Sequence, residues 1–258
     1  MSTQSSDTNR RIMGIGLIFM LLFVLFVVVG GGFGNREVLS ASVNLPALNA
    51  ETATLTLRPG VAETTVSAGA GEGQLLEADI DYYDAYHLTG SPGPNREMLL
   101  EQRPDGDNTI NISFFGDGDN LEWDVRLNPA YPLALEIDGD VGDFDVDLRE
   151  FNLIDVQITT DVGDVEMHLP APVQSYLVTV NADVGDVELN IPADAAVRVN
   201  ANVDVGGLDI DDSFTEITRD EGVVGETGEW QTENFDTADA TITIDYTGDV
   251  SDLTVDLD

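Results

Sequence analysis

Six aspartates carry the most suggestive chemistry in the chain. Asp140 and Asp143, Asp161 and Asp164, and Asp183 and Asp186 each bracket a Val-Gly dipeptide, so one phrase, Asp-Val-Gly-Asp, is written three times over. Carboxylates repeated at fixed spacing are the material of a cation site, because Ca²⁺ gathers several oxygen ligands. The first aspartates fall at 140, 161, 183 and 204, separations of 21, 22 and 21 residues, and a last variant, TGDVSDLTVDLD, places Asp249 another 45 on. If such units stack as rungs, equivalent carboxylates lie about 5 Å apart. Each pair then repels by roughly 0.8 kcal/mol in water. Dissolved salt, splayed rotamers or bound Ca²⁺ must offset this, which makes these six aspartates a candidate calcium ladder. A second reading needs no ligand. Asp140, Asp161 and Asp183 would each close a turn through the side chain, with Gly142, Gly163, Gly185 and Gly206 supplying the positive φ that other residues avoid.

Other chemistry is sparse. The chain has no Cys and two His, which removes disulfides, thiolate ligands and a Cys nucleophile. His87 lies in an aromatic, acidic stretch with Tyr82, Tyr83 and Tyr86, and His168 takes an outward strand position. No nucleophile elbow, zinc-protease helix, P-loop, dinucleotide fingerprint, EF-hand loop or short Gly-Gly-x-Gly-x-Asp repeat is present. The expectation is a non-enzyme without an organic cofactor. Asn111 begins a single glycosylation-type triplet.

Charge narrows the partners. There are 49 acidic residues against 10 basic ones, a net of −39; the basic residues are all Arg, a composition similar to that of proteins from salt-loving organisms. Such a surface repels nucleic acid and anionic headgroups. Residues 12–29 contain no charge and run on into glycines, long enough to cross roughly 30 Å of hydrocarbon at about 1.5 Å per residue. Arg10 and Arg11 precede the run and hold the N-terminus in the cytoplasm by the positive-inside rule. The expected organisation is a cytoplasmic tail (1–11), one membrane anchor (12–33), a linker (34–49) and an extracytoplasmic domain (50–258).

Within that domain the signal alternates with period two between Gly, Asp, Asn and Pro breaks. The predicted fold is all-β. It consists of strand–turn–strand units of about 21 residues stacked like a β-helix, with a two-sheet sandwich as the alternative. Val156, Ile158, Val165, Met167 and Leu169 of one unit, and Val178, Val180, Val187, Leu189 and Ile191 of the next, point inward; neither unit buries that face alone. Core repeats are expected over 134–214, an irregular insertion over 215–240 and closing strands over 241–258. Trp123 reads as core. Because loops inserted in a regular scaffold often carry function, Trp230 and Phe235, at the end of the 221–235 segment, are the candidate interaction residues.

The stretches VRLNPAYPLALEIDGDVGDFDVDLREFNL, TTDVGDVEMHLP and, upstream, GEGQLLEADIDYY resemble the toast-rack domains of the LiaF type, and share turns with adhesin-like β-helical domains. The resemblance spans about residues 51–214. In that family the second acidic position is often a small hydroxyl residue, which implies that the fold does not require Asp143, Asp164 or Asp186. The family's association with response to cell-wall-active antibiotics, and with restraint of a sensor kinase, implies an envelope interaction or stress-response module whose partner is another envelope or membrane protein. LiaF itself carries several membrane spans where this chain has one. A surface adhesin or structural spacer, stiffened by Ca²⁺, is the alternative.

Overall fold

The computed structural model describes residues 37–103 and 121–258. The expected tail, the membrane anchor and the Asn111 triplet lie outside them. Among the described residues no helix is long and apolar enough to cross a membrane.

Among the described residues the structure is all-β, as the alternation predicts, apart from one 3-10 turn over Phe235–Thr237. In chain order the strands are β1 (Leu39–Pro46), β2 (Thr52–Val61), β3 (Glu63–Ala68), β4 (Gln74–Tyr82), β5 (Ala85–Gly90), β6 (Asn95–Arg103) and β7 (Glu122–Leu127). Then come β8 (Leu133–Val141), β9 (Phe144–Asp147), β10 (Leu153–Val162), β11 (Val165–His168), β12 (Tyr176–Val184) and β13 (Val187–Ile191). The last are β14 (Val197–Val205), β15 (Leu208–Ile210), β16 (Thr215–Glu221), β17 (Glu226–Gln231), β18 (Ile242–Val250) and β19 (Leu253–Leu257).

Strands form two sheets, ordered β1-β4-β7-β3-β9-β11-β13-β19-β15 and β16-β17-β14-β18-β12-β10-β8-β2-β6-β5. Each strand–turn–strand unit gives its first strand to the ten-stranded sheet and its second to the nine-stranded one. The two fold expectations therefore meet: the coils stack, and their halves make two sheets with one core between them. Neighbouring coils pair in parallel, so equivalent residues fall level. Leu57, Ile137, Ile158 and Val180 form one such row, all fully buried.

The stack does not follow the chain. Its coils run β6/β7, β2/β3, β8/β9, β10/β11, β12/β13, β18/β19, β14/β15. The last copy of the phrase thus lies between the third and the fourth rather than after the fourth. Tyr246 of β18 is buried, and its neighbour on β14 is the small Ala201. At the opposite end β2/β3 is likewise overlapped by β6/β7.

Two boundaries need correction. Residues 39–46 of the expected linker are strand β1: Ala41, Val43 and Leu45 turn half-buried toward the core, and the Ser40 and Ser42 hydroxyls donate to Asp81 and Asp79 at 2.6 and 2.5 Å. The expected irregular insertion holds the β16–β17 hairpin, antiparallel to β14. Its strands alternate too weakly for a period-two reading, since every residue of β16 is exposed.

Candidate functional site: the aspartate–glycine ridge

The repeated turns fall in line along one edge of the stack. At each, the glycine adopts φ between 141° and 146°, where side chains are strained. A Cβ on Gly163 would lie 2.0 Å from the Gly142 carbonyl oxygen, and one on Gly185 2.1 Å from that of Gly163. Backbone therefore packs on backbone, and the ladder continues through the turn: Gly142 N–H donates to Val162 O at 3.0 Å and Gly163 N–H to Val184 O at 2.9 Å.

The second aspartate of each phrase completes that ladder. Asp143 Oδ1 accepts from Asp164 N–H (3.0 Å), Asp164 Oδ1 from Asp186 N–H (2.8 Å), Asp186 Oδ1 from Asp252 N–H (3.4 Å), and Asp252 Oδ1 from Gly207 N–H (2.7 Å). The amides of Asp164, Asp186 and Asp252 point along the stack, and each is capped by the carboxylate one rung before. This revises two expectations. Asp140, Asp161 and Asp183 make no side-chain hydrogen bond among the described residues, so they do not close their own turns. Asp143, Asp164 and Asp186 do serve the fold. A hydroxyl also offers a lone pair to an N–H, so a serine or threonine would serve the same bond. A charge-assisted bond to each carboxylate offsets the column's self-repulsion.

Of the first aspartates, Asp161 and Asp183 are exposed and Asp140 is half-buried. Burial, then the nearby charges of Asp161 and Asp138, push the Asp140 carboxyl above its ordinary range. Among the described residues no group of three or more His, Asp or Glu side chains is placed to hold a metal ion.

The other candidates sit apart from the ridge. Trp230 is 4% exposed and packs in the core, with the Arg219 guanidinium 6.0 Å from its ring centre. Phe235 is half-buried beneath Arg198, 4.3 Å from its guanidinium carbon. The solvent-facing apolar groups of this region are instead Ile217, Val223 and Val224, the two valines at the hairpin tip. His168 Nε2 lies 3.2 Å from Glu166 on an outer face. Tyr82 and Tyr86 meet edge to face at 4.9 Å. An open hollow of about 470 Å³ lies over β2, β5 and β6, lined by Thr54, Thr56, Arg58, Thr89, Ser91 and Glu97 among others.

Three contributors escape a motif search. Gly60-Val-Ala-Glu63 is a degenerate copy of the phrase: Ala62 N–H donates to Val141 O at 3.0 Å and Thr64 N–H to Asp143 O at 2.9 Å. Asp252 continues the aspartate column from a phrase that reads Asp-Val-Ser-Asp. Among the described residues Arg96 is the only charged side chain that is buried, and a lone arginine in a strand gives no sequence signal.

The profile described as the N-terminal domain of toast_rack matches residues 34–190. The chain belongs to the toast-rack family. A second profile, cell wall-active antibiotics response LiaF, C-terminal, matches residues 140–255 of this toast-rack chain. No curated protein matches. Among solved structures, a protein from Clostridium sporogenes described as a candidate for cell adhesion superposes with a TM-score of 0.75 at 18% identity, over 86% of this chain and 100% of its own. That likeness is one of fold. A candidate adhesin from Bacteroides fragilis aligns over 86% of this chain and 98% of its own, with 10% identity and a TM-score of 0.33.

Proposed function

We propose that this toast-rack chain is a membrane-anchored, extracytoplasmic interaction module of the cell envelope, without catalytic activity, that takes part in sensing or regulating envelope stress through another membrane protein. The match of the LiaF profile to the repeats carries the reading. The uncharged run at 12–29 supports the anchor, and the almost wholly apolar core supports a scaffold.

The test is protease accessibility in intact cells combined with photo-crosslinking from position 223. Protection of the N-terminus, digestion of the β domain and a crosslink to a membrane protein are expected. A β domain shielded inside the cell would overturn the reading.

A surface adhesin or spacer is the second reading, favoured by the fold it shares with the Clostridium protein. Calcium bridging the aspartate columns would then stiffen the stack. Thermal unfolding in millimolar CaCl₂ against MgCl₂ at equal ionic strength separates the two: a calcium-specific rise in Tm supports the spacer, and equal midpoints count against it.

A further inference from the structure

The coil β18/β19 is inserted between two coils that both precede it in sequence. It enters between two walls that present the same register to it. On one side Tyr176, Val178, Val180, Ala182 and Val184 of β12 stand level with Ile242, Ile244, Tyr246, Gly248 and Val250. On the other, Val197, Val199, Ala201, Val203 and Val205 of β14 stand level with those same five residues. The second sheet repeats the arrangement: Val187 of β13 and Leu208 of β15 both meet Leu253.

Recognition in this slot is carried by the inserted residues and not by the order of the chain. The Tyr246 ring fits beside Ala201, and its hydroxyl bonds Ser251 Oγ at 2.6 Å. A Cβ on Gly248 would lie 2.0 Å from Ser251 Oγ and 2.7 Å from Tyr246 Oη. Asp252 joins the carboxylate column between Asp186 and Gly207. What ties the coil back to the wall at β17 is residues 232–241, where Glu233, Asn234, Asp236, Thr237 and Asp239 are exposed.

We infer that the slot between β12/β13 and β14/β15 is an interface for a second copy of this chain. It accepts β18/β19 in trans with the contacts it makes in cis, so two copies exchange their closing coils. Exchanged and unexchanged forms share every contact within the stack. The balance between them is set by chain concentration against the effective concentration of the tethered coil, and by the contacts of the connection, Thr232 on Val197 and Phe235 and Asp236 on Arg198, which exchange must re-form. The inference does not depend on the envelope role proposed above.

The absence of cysteine makes the test clean. Asp183 and Asp249 are exposed and occupy equivalent turn positions of β12 and β18. Full-length Asp183→Cys and Asp249→Cys chains are mixed, unfolded, refolded together at increasing concentration in high salt and oxidised. The doubly substituted chain, which closes the bond in cis, fixes the oxidation conditions. The expected result is a disulfide-linked heterodimer with native circular dichroism, whose fraction rises with chain concentration and exceeds the Asp183→Cys homodimer several-fold. Monomers only, or heterodimer no more abundant than homodimer, would overturn the inference.

Discussion

The two ends of the stack solve one problem with different materials. At each, the outermost coil is not the terminal one in sequence, so the first and last coils are each sealed one rung in. Beyond β6/β7, antiparallel strands cover both sheets, β4 and β1 on one and β5 on the other. Beyond β14/β15, β17 and β16 cover only one, and the three-residue β15 is left as a bare edge. Brevity protects that edge from pairing with other chains.

Arginine separates the ends more sharply. At the β14 end, Arg198 stacks on Phe235 and pairs with Glu229 at 3.4 Å and Asp236 at 3.6 Å, while Arg219 lies over Trp230 and pairs with Glu216, Glu221 and Glu226. At the β6 end, Arg96 is 4% exposed, its Nε has no hydrogen-bond partner, and no carboxylate pairs with it among the described residues. In a chain with 49 acids, that is a placement enforced by strand register. Ala53 stands beside Arg96 across β2, and position 96 faces the core whatever residue fills it. A charge at the surface costs little to keep; a buried unpaired one is expensive.

The largest effect expected tests what the ends have in common. Gly163→Val places a side chain 2.0 Å from a carbonyl at φ 146°, and loss of more than about 4 kcal/mol of stability, seen as failure to fold or a collapse in Tm, is the expected result. The equivalent site near the β6 end already holds the buried Ala62, so Ala62→Gly costs only about 0.5–1 kcal/mol. Next, Arg96→Met removes a buried donor without a partner and raises stability by about 1–3 kcal/mol in denaturant titration, while Arg219→Met at the other end lowers it. A loss at both would erase the contrast between the ends.

Smaller effects probe the ridge that joins the ends. Asp164→Ala leaves the Asp186 amide without its acceptor and costs about 1 kcal/mol, whereas Asp164→Asn, which keeps an acceptor oxygen, costs less; amide exchange at Asp186 reports the difference directly. Asp140→Asn is the smallest. Its carboxyl is raised in the folded state, so ionisation opposes folding above that raised pKa, and the opposition vanishes once pH falls below the unfolded value. The variant gains less than about 1 kcal/mol at neutral pH and nothing in acid, as read from Tm against pH. Asp79 runs the other way. The Ser42 hydroxyl and then Arg126 lower its pKa, so its stabilisation is full above the unfolded pKa and is lost as pH falls through the folded one.

Much of this was legible in the chain. Alternation in VQIT and VEMHL placed the inward residues correctly, and the recurrent Asp-Val-Gly-Asp gave the rung and its glycine. What the phrase could not say is which aspartate bonds where, because both are acidic and only the stacked neighbour distinguishes them. Coil order was hidden for a related reason. Every copy offers a similar apolar edge, so the repeat by itself does not tell whether β14 or β18 pairs with β12. Trp230 looked available because its flanks are polar, yet Gly228 lets its ring fold back over the hairpin: a Cβ there would lie 2.3 Å from the indole.

The sealed ends also govern how such a protein can change in size over generations. A duplicated unit at either terminus would have to break the overlap that closes the stack there, but one inserted among β8 to β13 finds the same carboxylate, the same glycine and the same apolar row above and below it. Length should therefore vary in whole steps of about 21 residues from the middle outward, each lifting the far end by about 4.8 Å, so that reach is set by copy number while both termini keep their architecture.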